Sequence, residues 1–447
     1  MEKVKYLIIG NSAGGIAATE SIREVDRSGS ITIVSDEPYP AYSRPLISEY
    51  LAGERDLEGM LFRPADFYER NNVRALLGCR VKQLNVDEHT VELTDGRRIN
   101  WARLLLATGG VPIVPPIEGF DLNGVFTFTT LDDAKAVDQF LGYLVKRPIR
   151  AVVVGGGLIG MSVAEALLSR GIEVTIVEMK ARILNTILDE EASALVEETL
   201  RRNGAEVITG HTVTVATGSS SGDVTGVTLD DGRSECCELV MVAIGVRPRV
   251  EQVLGTGIEV NRGIVVDRHM SASASDDIYA CGDVAEAYDF VHGENRLTPI
   301  WPNAFMGGRV AGLNMAGVPT EYEGGTAMNS LKYFGLAIVS AGMATAPDDS
   351  YEVLSSKSNH VYRKLVLKDD RVLGMVFAGD IEKSGIIFNL IKDGVRVDGF
   401  KQALIAEDFG LHCLPQEIWR PKLEMPPSAR AYAIGSFGEP EQILVGE

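Results

Sequence analysis

Cysteine is scarce: the 447 residues hold five, at positions 79, 236, 237, 281 and 413. The count is odd, and none of the five stands in a Cys-x-x-Cys or Cys/His spacing. That excludes a disulfide framework and a structural zinc site and implies a cytoplasmic compartment that keeps thiols reduced. No metal is expected, and the adjacent Cys236 and Cys237 are assigned to a surface stretch without a role. Basic residues are outnumbered, 43 against 62 acidic ones, and the net charge of −19 has the wrong sign for neutralising nucleic-acid phosphates or anionic lipid. Long apolar runs are also missing. The run Tyr6 to Ile9 falls short of the ~7 to 15 residues of a signal-peptide core. Others, such as Leu239 to Val246, are strand-sized rather than the ~20 residues of a membrane span. What is abundant is glycine, 47 in all, beside a hydrophobic content of 45%. Such a chain is globular and rich in tight turns. At ~150 residues per domain its length suggests about three domains.

The glycines recur in a pattern. Lys5 to Ile9 is an apolar strand ending at Gly10, followed by Asn11-Ser12-Ala13-Gly14-Gly15 and a small-residue helix from Ile16 to Ile22. A second strand, Ser30 to Val34, ends in Ser35-Asp36-Glu37, which completes a βαβ unit with acid at its tip. The same grammar returns at Arg150 to Val154. Gly155-Gly156-Gly157-Leu158-Ile159-Gly160 is a full G-x-G-x-x-G, Met161 to Ser169 a helix, and Glu173 to Val177 a strand closed by Glu178. Each unit has its own later strand that breaks at glycine: Leu104 to Leu106 with Ala107-Thr108-Gly109, and Val240 to Ile244 with Gly245. This duplication predicts an α/β protein with two related Rossmann-like dinucleotide-binding domains. From about Gly324 the character changes. Val361 to Leu367, the turn Lys368 to Arg371 and Val372 to Phe377 read as a hairpin, and Ser384 to Ile391 as an amphipathic helix, giving a third, α+β domain. The tail after Leu414, with Pro415, Pro421, Pro426 and Pro427, is expected to run over a surface.

A glycine turn between strand and helix lets backbone approach a pyrophosphate and aims helix N-terminal N–H groups at it. Ser12 replaces the middle glycine of the first turn, where a small hydroxyl still permits approach; a plain tight connection is the alternative. In the second unit Glu178 stands where a carboxylate accepts from a ribose diol and repels a 2′-phosphate. This favours NADH over NADPH, with Lys180 and Arg182 close by. Ile278-Tyr279-Ala280-Cys281-Gly282-Asp283-Val284 follows a strand-like Gly263 to Asp267 and is expected to open a small-residue helix, with Asp283 as a cap or a ligand group.

Taken together and in this order, the two glycine turns, the two strands breaking at glycine and the Y-A-C-G-D segment resemble the pyridine nucleotide-disulfide oxidoreductase superfamily. The resemblance covers essentially the whole chain. It implies FAD held by the first unit and the nicotinamide nucleotide by the second. Carried over, the FAD roles fall on Gly10, Ser12, Gly14, Asp36 with Glu37 in reserve, Ala107, Thr108, Gly109, Gly282 and Asp283. The nucleotide roles fall on Gly155, Gly157, Ile159, Gly160, Glu178 and Gly245. Val81 resembles a strand that lays main-chain groups beside adenine, or is an ordinary buried valine. Pro299 and Trp301 resemble the segment whose helix start faces the flavin's pyrimidine edge and stabilises reduced flavin. The implied division is an FAD domain at 1–117 and 246–323, an NAD(P) domain at 118–245, and an α+β dimerisation domain at 324–447.

One departure narrows the subgroup. Disulfide reductases of this superfamily carry redox cysteine after the first unit, whereas here the stretch reads Tyr42-Ser43-Arg44-Pro45-Leu46-Ile47-Ser48. Without a thiolate there is no mixed-disulfide chemistry. This run, with Asn329 to Gly335 and Gly379-Asp380-Ile381, is similar to NADH:rubredoxin reductase and to the flavin portion of assimilatory nitrite reductase. Arg44, beside Pro45, is then the candidate catalytic residue at the flavin face, placed to stabilise a reduced anion; a solvent-facing arginine is the alternative. A glutamate that many relatives carry soon after the last glycine is replaced by Ser162, and Glu165 stands one turn too late to be its equivalent. Three functions follow: an NADH-dependent FAD oxidoreductase passing electrons to an iron–sulfur or rubredoxin-type protein or partner subunit, an NADH oxidase using dioxygen, quinone or another small acceptor, and a redox-sensing flavoprotein subunit.

Overall fold

In the computed structural model, residues 2–144, 148–272, 277–358 and 361–423 are described. The strand Glu2–Ile9 lies between Ile31–Val34 and Arg98–Leu106, all parallel, with Val73–Leu76 beyond Ile31–Val34. All four residues of Ile31–Val34 are buried, as befits a parallel strand covered on both faces. The strand Arg98–Leu106 serves two further partners on its other side. Its first half pairs antiparallel with Thr90–Leu93, which in turn meets Val81–Asn85. Its last three residues pair in parallel with Ile278–Ala280, which returns from far along the chain.

A second parallel sheet repeats this build. Arg150–Val154 sits between Glu173–Glu178 and Leu239–Val242, with Ala205–Thr209 and Val125–Thr127 at the edges. Its satellite is an antiparallel sheet of Val213–Gly218, Val224–Leu229 and Ser234–Cys236. The chain crosses between the two units along Gly110–Pro112 and Val246–Pro248, which pair antiparallel. The third sheet is antiparallel, in the order Met328–Tyr333, Leu336–Gly342, Arg371–Ala378, Val361–Lys368, Glu352–Ser358, with helix Ser384–Lys392 against it. Its predicted hairpin turn is tighter than expected. Asp369 and Asp370, at φ +51° and +58°, form the two-residue turn whose twist matches the flanking strands.

Three expectations are corrected. The segment after Cys281 does not open a helix: Gly282–Val284 is a single 3-10 turn, followed by the strand Ala285–Asp289. The reason lies in Glu286, buried so that its carboxylate accepts the N–H groups of Arg262 and Gly263 at 2.5 and 2.6 Å, an attachment a helix there would break. Cys236 is exposed, but Cys237 is fully buried in the core beneath the satellite sheet. Of the proline-rich tail, Gln416–Leu423 is helical and sets Ile418 and Trp419 against the third sheet's core instead of running over a surface; Pro426 and Pro427 lie outside the described residues. Among the described residues no helix is long and apolar enough to cross a membrane.

Candidate functional site

Both glycine turns are made the same way. Gly10 and Gly155 end their central strands at φ +123° and +110°, where an L side chain is strained. A Cβ on either would also stand 2.1 or 2.4 Å from the carbonyl oxygen of Ala107 or Ala243, the residue just after the neighbouring strand. The last glycine of each turn lets helix and strand touch. A Cβ on Gly15 would lie 2.1 Å from the Gly10 oxygen, and one on Gly160 would lie 1.9 Å from the Gly155 oxygen. Gly15, rather than the expected Gly14, therefore fills the third position. The signal was present, because 10, 12 and 15 repeat the interval of 155, 157 and 160. Gly14 packs against helix Trp301–Met315 and Cys281: its Cβ would meet the Cys281 sulfur at 2.6 Å and the Ala304 oxygen at 3.3 Å. Cys281 is fully buried, and burial pushes its thiol up to about 12, so it packs as an apolar residue.

Three helices begin at these places without a cap of their own. Ser12, Gly157 and Ile300 precede Ala13–Val25, Leu158–Ser169 and Trp301–Met315. None supplies a side-chain cap bond, and no first turn carries an acid. Helices Leu131–Tyr143 and Glu190–Arg202 are the contrast, capped by Thr130 and Asp189 with two acids in each first turn. The N-terminal N–H groups of the first three are left for an outside acceptor, which is what pyrophosphate and an electron-rich ring edge require. Gly157 faces open space, so backbone there can approach a ligand. The donor set fits FAD at the first turn and a nicotinamide nucleotide at the second.

Around the first turn the expected residues meet through partners the sequence did not announce. The Asp36 carboxylate accepts from Arg249 Nη1 at 2.6 Å. Arg249 also accepts from Thr108 Oγ1 at 3.0 Å and donates its N–H to Gly109 at 2.9 Å. One arginine thus joins three predicted positions across a sequence distance that gave no local sign of it. Glu37 accepts from the Tyr42 hydroxyl at 2.5 Å and from the Arg44 guanidinium. Arg44 also donates to Thr129 O at 2.9 Å and stands 5.7 Å from the centre of the Tyr42 ring. Burial pushes the Asp283 carboxyl up while the Arg44 cation pulls it back. The Arg44 side chain is 39% exposed, so water reaches the cation even though Glu37, Tyr42 and Thr129 surround it. Pro45 is exposed within the turn Arg44–Leu46. Gly282, at φ +76°, carries Asp283 next to Ala304 of the third uncapped helix. Trp301 at that helix start meets Phe62 edge to face at 5.0 Å, while Pro299 is exposed. Val81 is 5% exposed in the first sheet's core, beside a bulge that shifts the register to Gln83.

The second turn has different company. Glu178 is buried, and its carboxylate accepts from the Gly156 and Lys180 N–H groups, both at 2.7 Å. It braces the turn as well as lying where a ribose is expected. Leu184, missed by the sequence reading, sits at φ +50° and donates its N–H to Gly156 O at 2.7 Å, so a strained backbone holds the turn from beneath. Ile159 packs against the second unit's core, and Gly245 O accepts from Ile113 N at 2.9 Å.

Known proteins carry the same arrangement. Residues 4–308 match the family described as pyridine nucleotide-disulphide oxidoreductase, and residues 328–395 match the rubredoxin NAD+ reductase C-terminal domain. The chain is 33% identical to the NADH-dependent phenylglyoxylate dehydrogenase subunit epsilon of Aromatoleum evansii over 94% of this chain and 99% of that one. It is 28% identical to the NADH-rubredoxin oxidoreductase of Clostridium acetobutylicum, covering 85% of this chain and 92% of that one. Against a nitrite reductase of Bacillus subtilis (strain 168), 31% identical over 88% of this chain, it spans only 48% of the relative's length. Among solved structures, the putidaredoxin reductase–putidaredoxin complex superimposes with a TM-score of 0.84 at 27% identity, covering 95% of this chain and 100% of that one. The chain belongs to the pyridine nucleotide-disulphide oxidoreductases and is an FAD-dependent NAD(P)H oxidoreductase.

Proposed function

We propose that this chain takes reducing equivalents from NADH and delivers them through FAD to an iron–sulfur or rubredoxin-type protein, as a cytoplasmic homodimer or as a subunit of a larger complex. The observation that carries the reading is the set of three helix starts, two at glycine turns and one at Trp301, that lack a side-chain cap and a first-turn acid, in a chain with no cysteine between the first turn and Cys79. Subunit epsilon of the phenylglyoxylate dehydrogenase matches over nearly its whole length, which supports service to partner subunits. A bound FAD supplies a ring that accepts hydride from reduced nicotinamide and yields electrons singly to a one-electron acceptor.

The chain's own residues position and stabilise. Gly10, Ser12 and Gly15 admit a pyrophosphate to the first helix start, with Asp36 or Glu37 toward the ribose and Thr108, Gly109 and Gly282 shaping the cleft. Asp283 holds a polar chain portion as a buried acceptor. Arg44, ion-paired with Glu37, keeps a cation on the first unit's side, and the helix start at Trp301 adds a second positive end. Gly155, Gly157 and Gly160 receive the second pyrophosphate. Glu178 favours NADH by repelling a 2′-phosphate. The proposed division is FAD binding by 1–117 and 246–323, nucleotide binding by 118–245, and pairing of two copies by the third domain.

Anaerobic stopped-flow mixing with NADH tests the reading: flavin absorbance should bleach within seconds and recover on adding a rubredoxin or ferredoxin. Flavin that stays oxidised would sink it. Arg44→Met should slow bleaching about 100-fold, the scale of losing one preorganised charge. An NADH oxidase role is the second reading, because an NADH oxidase of Methanocaldococcus jannaschii is 31% identical over 71% of this chain. Peroxide or water formation in air faster than transfer to the protein acceptor would favour it.

A further inference from the structure

Where three parts of the chain meet, a partly buried acid is held that neither glycine turn uses. Glu165 lies on Leu158–Ser169, the helix that starts at the second turn. Its carboxylate accepts the Phe334 N–H at 2.8 Å. Phe334 and Gly335 form the tip of the hairpin joining Met328–Tyr333 to Leu336–Gly342, at φ +45° and +91°. A bulky aromatic residue in the left-handed region is strained and persists only where its surroundings hold it. Beside it Tyr333 is 2% exposed, and its hydroxyl is buried without a hydrogen-bond partner among the described residues. The helix of Glu165 also packs on Ile47–Ala52, the helix that follows Arg44, and Leu51, Leu167 and Tyr333 belong to one apolar core.

The charges facing Glu165 come from each of these elements. Burial pushes its carboxyl up, the Phe334 N–H pulls it down, Glu54 raises it and Lys332 lowers it. A strained tip, an unpaired phenol and a half-buried acid each cost stability. An apolar side chain at 165 would pack the same core without them. What the costly version adds is a directed bond from the nucleotide-carrying helix to the third domain.

We propose that Glu165 is a positioning residue for hydride transfer: its grip on the Phe334 N–H ties the helix of the nucleotide turn to the third domain's hairpin tip, which holds that helix in its packing on the helix behind Arg44 and fixes how the two ring systems meet. This rests on the reading that NADH reduces FAD in this chain. Reacting atoms must meet at a defined separation, and a displacement of about 1 Å costs on the order of 100-fold in rate. A helix released at residue 165 pivots at its start, where the nucleotide sits.

The test uses the FAD-loaded protein and two readouts, the limiting rate of flavin reduction at saturating NADH and amide hydrogen exchange of the 333–336 tip. Glu165→Ala should slow reduction about 10- to 100-fold, leave NADH affinity nearly unchanged and speed exchange at the tip. Glu165→Gln, which keeps an acceptor oxygen, should restore both to within about two-fold. If Glu165→Ala does not fold with its flavin, Gly335→Ala takes its place: it adds a methyl into open space but strains the tip, and should move both readouts the same way by a smaller factor. Results in which rate and tip exchange fail to move together overturn the proposal, as does a folded variant that matches wild type in both. Failure of NADH to bleach the wild-type flavin would defeat the functional reading instead, and is seen before any variant is made.

Discussion

Gly15 and Gly160 close the same turn in two sheets of the same order, yet the two turns stand in different company. The first is enclosed by chain from far away: Cys281 and helix Trp301–Met315 press on Gly14, and Gly308 and Gly312 allow that helix to lie on the oxygens of Gly14 and Ala18. Arg249 ties its rim to Asp36 and Gly109. The second has space at Gly157 and is braced from below and beside by Leu184 and Glu178. A turn packed by distant segments suits a group that stays; a turn with space at its middle glycine suits one that comes and goes. On the proposed assignment, one backbone motif serves a resident cofactor and an exchanging substrate, the difference lying in what packs on it.

The sharpest way to break this comparison is to add one methyl to each turn. Gly15→Ala drives a Cβ into the Gly10 carbonyl, an overpacking that costs about 1–3 kcal/mol or more, and should yield protein largely stripped of flavin by absorbance. Gly157→Ala meets nothing within 4 Å; it should keep its flavin and melting temperature while KM for NADH rises about ten-fold. Flavin loss in the second variant but not the first would reverse the assignment of the two turns.

A smaller effect is expected at Glu178. Glu178→Ala leaves the Gly156 and Lys180 N–H groups without their acceptor, a loss of about 1–3 kcal/mol, and removes the repulsion of a 2′-phosphate. KM for NADH should rise, and the NADPH-to-NADH ratio of kcat/KM should move toward NADPH, aided by Lys180 and Arg182. Equal losses with both nucleotides would show that Glu178 only braces the turn.

The smallest effect concerns pH in the first cleft. Burial raises the Asp283 carboxyl above its ordinary value of 3.8. Below that value it is protonated in the folded and unfolded chain alike and costs nothing. As pH rises past it the unfolded chain ionises first, so the folded state loses stability. Asp283→Asn removes that loss. Its flavin-free form should melt above the wild type at about pH 7 and together with it toward about pH 4, while binding FAD more weakly. A gap in melting temperature that does not change with pH would mean that the carboxylate is compensated by a partner other than Arg44.

Much of this was legible in order along the chain. The strands at 5–9 and 150–154, their glycine turns, the hairpin near 368–371 and the missing redox cysteine are all local patterns. The differences have two origins. Gly15 is local and legible, since 10, 12 and 15 repeat the interval of 155, 157 and 160; the others are set by contacts between distant residues. The strand Ala285–Asp289 was read as helix because its small residues favour either state, and a buried carboxylate contact decided between them. Arg249 carries no local sign at all, since its role depends on Asp36 arriving beside it.

By itself the sequence determined the two glycine turns, the acid that ends each second strand and the absence of a thiol near Ser43-Arg44, because each is a property of a few consecutive residues whose backbone has few alternatives. Tertiary structure alone decided that Ile278–Ala280 returns to the first sheet, that Arg249 meets Asp36, and that Glu165 grips the Phe334 N–H. Those contacts join residues far apart in the chain, and loop closure leaves no trace in local composition; only the packing of whole sheets and helices brings such groups within bonding distance.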